Sequence, residues 1–155
     1  MAYIVYVDIS AKIEDWPKDS IVAVTNGISR ALRVPADVKQ TAAALIEKAT
    51  PPQESKPVQF TLMAMFTYLA VRPYLGEISR IVIDRDYSGE VAHRAIVRQL
   101  IKLIRRDYPK FKAAHIRIDN VADTAADILA RMAYQNRVVI DGVVTLAEIQ
   151  ALIGE

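Results

Sequence analysis

The fold of this 155-residue chain is decided by residues 80–100, RIVIDRDYSGEVAHRAIVRQL, in which a strand pattern runs through an acidic turn into a helical pattern. The apolar run Ile81-Val82-Ile83 predicts a strand over 80–84, and residues 88–107 predict the helix that follows it. The same alternation recurs with a strand over 114–119 and a helix over 121–135. Strands that alternate with helices are typical of parallel strands joined by right-handed crossovers, so the sequence predicts an α/β fold.

The N-terminal residues predict antiparallel strands in the same sheet. Residues 3–8 are too apolar to alternate, which is typical of a central strand covered on both faces. Asn26-Gly27 is a hairpin turn motif between strand patterns at 21–25 and 28–34. We therefore expect a mixed central sheet in which opening hairpin strands are followed by alternating helices and strands.

Two helices are predicted between the third and the fourth strand. A helical pattern over 35–49 ends at the linker 50–57, because proline lacks the amide hydrogen and restricts the residue before it. The next helix, 57–71, is apolar on nearly all sides, so we expect other elements to enclose it. Beyond residue 135 the predicted elements are a strand over 138–140, a turn at Asp141-Gly142 and a helix that starts with the capping-box pair Thr145 and Glu148.

The composition fits a single domain over residues 1–155, with 52% hydrophobic and 25% charged residues. The absence of cysteine excludes disulfides, thiolate metal sites and thiol nucleophiles. No secretory leader is visible and the longest apolar stretch, 58–71, is shorter than a bilayer requires, so we expect a cytoplasmic protein without a membrane contact. The sequence also lacks a phosphate-binding glycine loop, a dinucleotide fingerprint and the nucleophile elbow of serine hydrolases.

Three strand patterns run directly into an aspartate, at Asp8, Asp84 and Asp119. If these strands are neighbours in one sheet, their carboxylates collect at one edge, where they can bind Mg²⁺ or Mn²⁺. Two such ions about 4 Å apart can stabilise both the attacking and the leaving oxygen of a phosphodiester. The alternative is structural, because an aspartate after a strand commonly forms a turn or caps the next helix.

Further acids lie near these positions in the sequence. Asp86 follows Asp84 in the turn before the long helix, while Asp123 and Asp127 are four residues apart and share a face of the helix over 121–135. The helix dipole favours a carboxylate in the first turn, which explains Asp123 without a ligand. Arg131 is the obvious ionic partner of Asp127, so a metal role and a structural role both stay open for this pair.

The helix over 88–107 places four cations, Arg94, Arg98, Lys102 and Arg105, within about 80° of one another around its axis. This basic stripe predicts a surface that binds the phosphates of RNA or DNA, even though the net charge of the whole chain is only +2. A solvated helix face, or a surface for an acidic protein partner, is the alternative.

The order of the predicted elements resembles the ribonuclease H-like fold, which has three layers around a mixed sheet. Within that superfamily the chain is most similar to uncharacterised bacterial domains with an opening Tyr-Ile-Asp-Glu-Ser-type strand and an Ala-Asp motif on the late helix. Here these motifs are Tyr6-Val7-Asp8-Ile9-Ser10 and Ala122-Asp123 or Ala126-Asp127. The resemblance implies that Asp8 and Asp84 lie on adjacent central strands and that Asp123 or Asp127 completes a divalent-metal site.

A second, local resemblance concerns the turn after the fourth strand. Residues 84–90, DRDYSGE, are similar to the Asp-x-Asp-x-x-Gly motif of the topoisomerase–primase domain, which binds magnesium at strand ends. That family has a glutamate at the end of its first strand, where this chain has Asp8. The resemblance implies a magnesium site that includes Asp84 and Asp86.

The leading hypothesis is a metal-dependent nuclease with Asp8, Asp84 and Asp127 as catalytic ligands of Mg²⁺ or Mn²⁺, and with Asp86 or Asp123 as substitutes. The basic stripe holds phosphates in this hypothesis if its helix faces the site. The competing hypothesis is a noncatalytic binding or assembly module, since Ile9 replaces the glutamate of the related motif. Its partner surface is then expected on the apolar segment 57–75. A homo-oligomer is compatible with either hypothesis.

Overall fold

The computed structural model describes residues 3–54, 57–121 and 124–153. Within these residues the chain forms a mixed sheet of six strands together with five α-helices, which confirms the predicted α/β fold. The elements in chain order are β1 (Tyr3–Ser10), β2 (Ser20–Thr25), β3 (Arg30–Val34), α1 (Ala36–Ala49), α2 (Val58–Val71), β4 (Ile78–Asp84), α3 (Glu90–Ile104), β5 (Ile116–Asp119), α4 (Ala125–Tyr134), β6 (Gly142–Val143) and α5 (Leu146–Ile153).

The strand order of the sheet is β5-β4-β1-β2-β3-β6. β1, β2 and β3 are consecutive antiparallel neighbours, whereas β4 and β5 extend the sheet in parallel from β1. Asn26 and Gly27, between β2 and β3, both have positive φ values of 81° and 91°. Hairpin turns require such values, and glycine adopts them without steric cost, so the turn motif is confirmed.

The direction of the crossovers places the helices on two faces of the sheet. Every described strand except β2 runs in the same direction, because β6 is parallel to β3. The chain crosses from β3 to β4 and continues outward to β5, and it then returns across the whole sheet to β6. Right-handed connections that move in opposite directions put their helices on opposite faces. α4 therefore covers one face, and α1, α2, α3 and α5 cover the other, which confirms a three-layer arrangement.

The larger core lies between the sheet and the layer that contains α2. Eleven of the fourteen residues of α2 are buried, which confirms that other elements enclose this helix. The expectation that its apolar residues form an exposed partner surface is therefore wrong. Among the described helices, none combines the length and the apolar character that crossing a bilayer requires.

On the other face α4 packs through small side chains. Ala130 and Ala133 form a cluster with Ile21, Ala23 and Ala31 of β2 and β3. Alanine on both elements lets the helix approach the sheet closely, and α4 thereby lies over the centre of the sheet. This position brings the N-terminal turn of α4 near β1, where Asp8 lies.

Several element boundaries differ from the sequence predictions, and β3, α3 and β5 each begin two residues later than expected. Residues 138–140 do not form a strand, because pairing with β3 begins only where Asp141 N–H donates to the Ala31 carbonyl (2.7 Å). Asp8 does not end its strand, since Ile9 and Ser10 continue the antiparallel ladder with β2. α3 ends at Ile104, so Arg105 lies just beyond the helix. The capping box before α5 is confirmed by the exchange of hydrogen bonds between Thr145 and Glu148.

Candidate metal centre

The sheet register aligns three aspartates across neighbouring strands. Val7 pairs with Ile83 and both point into the larger core, so the next residues, Asp8 and Asp84, point to the face of α4. Asp84 is in turn paired with Asp119 of β5. The parallel neighbours β1 and β4 thus bring the first two carboxylates together, as the resemblance to ribonuclease H-like domains implies.

Among the described residues, Asp8, Asp84 and Asp86 form a close group of carboxylates, in which each offers an oxygen within 4.8 Å of the others. We call these three residues the carboxylate cluster. Asp86 joins the cluster because its N–H donates to the Asp84 carbonyl (3.0 Å), which folds the turn after β4 back on the strand. Oxygens around a hard divalent cation are separated by similar distances, since each lies about 2.0 to 2.6 Å from the metal. The cluster therefore offers the oxygen donors that hard divalent cations prefer, close enough together for one ion to be shared.

Two backbone amides orient the carboxylate cluster. The Ile9 N–H donates to Oδ1 of Asp8 (2.9 Å), and the Val121 N–H donates to Oδ1 of Asp84 (3.0 Å). Each bond fixes the orientation of one carboxylate and uses only part of its capacity to accept hydrogen bonds or bind a cation. The side chain of Asp8 is only 6% exposed, so this carboxylate faces its neighbours rather than bulk water.

The environment of the carboxylate cluster favours protonation or a bound cation. Burial, followed by the charge of Asp84, raises the pKa of Asp8 to about 8. Burial and then Asp84 also raise the pKa of Asp86 to about 7. Like charges in a poorly solvated site oppose each other's ionisation, and either protons or a divalent cation can offset this repulsion.

Asp127 lies beside the carboxylate cluster without being part of its closest group. Its charge contributes to the raised pKa of Asp8, after burial and the charges of Asp84 and Asp86. Its Oδ2 accepts from Arg131 (3.2 Å), which confirms the predicted ionic partner. The other candidate on this helix, Asp123, lies outside the described residues.

Asp119 shares the row of aspartates but is engaged elsewhere. Its carboxylate forms ion pairs with Arg117 (3.3 Å) and Arg85 (3.8 Å), and it accepts from the Asn120 N–H (2.8 Å). Two neighbouring guanidinium groups already balance its charge, which favours a structural role at the end of β5.

Two residues near the carboxylate cluster were not singled out from the sequence, Lys12 and Glu14. Both lie between β1 and β2. The pKa of Asp86 is raised mainly by burial and by Asp84; to a smaller extent Lys12 lowers it and Glu14 raises it. Lys39 of α1 fixes this segment, because its fully buried Nζ donates to the Asp15 carbonyl (3.1 Å) and to Ser20 Oγ (3.0 Å). Lys39 lies on the apolar stripe of its helix together with Ala42, Ala43 and Ile46. This spacing could have predicted from the sequence that Lys39 is buried.

The basic stripe does not face the carboxylate cluster. Arg94, Arg98 and Lys102 belong to α3, which packs on the opposite face of the sheet from α4. Arg94 forms an ion pair with Glu90 (2.8 Å), and Arg105 Nε donates to the Phe111 carbonyl (2.9 Å). The leading hypothesis required this helix to face the site if its cations were to hold phosphates there. Because α3 lies on the opposite face, these cations do not reach a phosphate bound at the carboxylate cluster.

Comparison of the chain with protein-family models, with curated proteins and with solved structures found no match. The carboxylate cluster and the order of the strands are therefore the observations on which a function can be built.

The stability of the metal-free protein is expected to fall as the pH rises from about 5 to about 8.5. The pKa values of Asp8 and Asp86 are raised from 3.8 to about 8 and about 7, so the folded state binds more protons than the unfolded chain between these values. The stabilisation from these bound protons is complete below 3.8, the pKa of the two groups in the unfolded chain. It is lost as the pH rises through about 7 and about 8, their pKa values in the folded protein. Partial exposure of Asp86 and the coupling among the three carboxylates reduce the effect below full linkage, so we expect a loss of about 1 to 3 kcal/mol in the free energy of unfolding.

Urea denaturation in a chelating buffer at pH 5, 7 and 8.5 measures this dependence. Saturating Mn²⁺ should flatten it, because the cation replaces the protons. A metal-free protein that becomes more stable toward pH 8.5 would contradict the raised pKa values.

Proposed function

We propose that this chain is a divalent-metal-dependent nuclease of ribonuclease H-like architecture that hydrolyses phosphodiester bonds in RNA or DNA. The observation that carries the proposal is the meeting of Asp8, Asp84 and Asp86 within 4.8 Å. Phosphodiester hydrolysis develops negative charge at the reacting phosphate, and clustered carboxylates are a common way to hold the cations that stabilise it.

The topology adds support for the ribonuclease H-like interpretation. That resemblance implies two acidic residues on adjacent central strands, and β1 and β4 are adjacent and parallel. It also implies an acid on the late helix, and α4 brings Asp127 near enough to influence Asp8. Asp127 is thus the residue that can extend the centre beyond the carboxylate cluster.

The residues of the centre have separate tasks in this proposal. Asp8, Asp84 and Asp86 would hold Mg²⁺ or Mn²⁺, and the backbone hydrogen bonds to Asp8 and Asp84 would keep those two carboxylates oriented. The bound metal supplies an activated water and stabilises the charge on the phosphate. Burial of Asp8 limits competing water around its carboxylate.

The basic stripe can contact the same nucleic acid from the other side of the sheet edge. Arg94 and Arg98 line a cavity of about 520 Å³ between α3 and the edge strand β5. β4 lies next to β5, at the usual spacing of about 4.8 Å, so Asp84 is one strand inward from this edge. A strand of RNA or DNA that passes the β5 edge can therefore reach both surfaces.

A second candidate is a magnesium site like that of the topoisomerase–primase domain. The observation that favours it is the presence of Asp86, rather than Asp127, in the carboxylate cluster. The two candidates differ in the carboxylate they require. The ribonuclease H-like site uses Asp127 on α4, whereas the topoisomerase–primase-like site uses Asp84 and Asp86 at the end of β4 and in the turn after it.

Mn²⁺ titration calorimetry and cleavage of labelled RNA and DNA test the proposal. We expect Mn²⁺ to bind with a dissociation constant below about 1 mM, and cleavage to stop when a chelator is added. Asp127→Asn separates the two candidates, since only the ribonuclease H-like centre loses cleavage with it, whereas Asp86→Asn weakens metal binding in either case. Glu47→Gln removes an exposed carboxylate of α1 and serves as the control. A protein that binds no Mn²⁺ at millimolar concentration favours the noncatalytic binding module.

A further inference from the structure

A further cavity lies far from the carboxylate cluster. It has a volume of about 710 Å³ and is formed by the start of β4, by the segment that follows α3 and by His115 before β5. Asp84 lies at the other end of β4, so the cavity and the carboxylate cluster are at opposite ends of this strand. Its volume falls within the range of about 300 to 1,000 Å³ that is typical of sites for small molecules. This cavity plays no part in the function proposed above.

Aromatic rings form much of the wall of this cavity. Tyr108 and Phe111 line it, and the imidazole of His115 packs edge-on against the Phe111 ring at 5.7 Å between centroids. Ile78 is buried and contributes apolar surface. Aromatic walls of this kind suit a flat ring such as a nucleobase, which stacks on them without needing a particular sequence.

Two cations of the wall have no counter-charge in the part of the chain that the structure describes. Arg80 and Lys110 line the cavity, are exposed, and form no ion pair or side-chain hydrogen bond with a described residue. The carboxylate in the lining is Asp107, whose Oδ2 accepts from the Tyr68 hydroxyl (3.5 Å). The lining therefore carries two cations against one carboxylate, and guanidinium and ammonium groups both bind phosphate favourably.

We propose that this cavity binds a nucleoside phosphate, with the base against Tyr108 and Phe111 and the phosphate at Arg80 and Lys110. A bare phosphate would leave the aromatic wall uncovered, and an uncharged ring would leave both cations without a partner. The same chemistry occurs in a free nucleotide and at the phosphorylated end of a nucleic-acid strand. The inference does not depend on the nuclease proposal, because none of its residues belongs to the carboxylate cluster.

Titration calorimetry with AMP, UMP, adenosine and inorganic phosphate tests the site in the full chain. We expect at least one of the two nucleotides to bind about tenfold more tightly than adenosine and than phosphate, since base and phosphate contacts add. Arg80→Gln should weaken nucleotide binding about tenfold, while Arg137→Gln, which removes one exposed guanidinium from the segment after α4, should leave it unchanged. A 5′-phosphorylated oligonucleotide distinguishes the two sources: tighter binding than the free nucleotide identifies a strand end, and weaker binding identifies the nucleotide.

Two results would overturn the inference. One is the absence of nucleotide binding at concentrations up to about 1 mM. The other is an equal effect of Arg80→Gln and Arg137→Gln, which would indicate general charge attraction. Thermal unfolding verifies that the variants fold, and Lys110→Gln, on the segment after α3, repeats the measurement if the change in β4 lowers stability.

Discussion

Replacement of Asp8 by asparagine is expected to reduce metal-dependent cleavage of RNA or DNA by about 10³-fold or more, without lowering the stability of the metal-free protein. The substitution removes one of the three oxygen ligands that lie within 4.8 Å of one another. It also removes a buried carboxylate whose pKa is raised by burial and by Asp84. Loss of that repulsion should leave the free energy of unfolding equal or higher at pH 8.

Asparagine is a suitable replacement because it keeps the shape of the side chain. Its carbonyl oxygen can still accept from the Ile9 N–H, and its amide can donate to Asp84. Cleavage assays with Mn²⁺ and thermal unfolding in a chelating buffer measure the two effects, with Glu47→Gln as the matched control. A large loss of stability would identify Asp8 as a structural hydrogen-bond acceptor, and retained cleavage would exclude it from the centre.

The architecture was largely predictable because its cues are local. Alternating strand and helix patterns indicated the parallel half of the sheet, and Asn26-Gly27 indicated the hairpin because positive φ values are needed there. β6 was misplaced because a strand of two residues has no periodicity of its own. It is defined by contacts with a distant strand, through the hydrogen bonds between Asp141 and Ala31.

The candidate site was predictable only in part. The strand patterns suggested that Asp8 and Asp84 converge, since parallel neighbours bring equivalent positions together. Whether Asp86 or Asp127 completes the group depends on a turn hydrogen bond and on the position of α4, which the sequence does not specify. Glu14 escaped notice because its segment lacks a repeating pattern and is held in place by Lys39, from a helix later in the chain.

The location of the basic stripe illustrates the same limit. Helical periodicity shows that Arg94, Arg98 and Lys102 share one side of α3, but it does not show which face of the sheet the helix covers. That face follows from the strand order and the right-handed crossover rule, which together put α3 and α4 on opposite sides. The stripe is therefore a surface separate from the carboxylate cluster, and its contribution to binding can be measured independently of catalysis.

Simultaneous replacement of Arg94, Arg98 and Lys102 by glutamine is expected to weaken nucleic-acid binding about 100-fold at low salt. Each cation that contacts a phosphate releases about one counterion, so the slope of log affinity against log salt should become shallower by roughly two to three units. Arg94 already forms an exposed ion pair with Glu90, and this pair must open before Arg94 can contact a phosphate. The change in the slope can therefore be smaller than three units. Glutamine keeps much of the side-chain length and the helix propensity, so the fold should be retained.

Fluorescence anisotropy with labelled RNA and DNA over a range of salt concentrations measures the slope. The matched control replaces Lys18, Lys48 and Arg137 by glutamine, because these three cations are exposed and lie outside α3. A stripe that contacts phosphates changes the slope far more than the control does, whereas equal changes would show that net charge alone sets the affinity. If the parent protein binds neither RNA nor DNA at low salt, the stripe is a solvated helix face or a surface for an acidic protein. The nuclease proposal then loses its substrate as well, since a centre that hydrolyses phosphodiesters must first hold them.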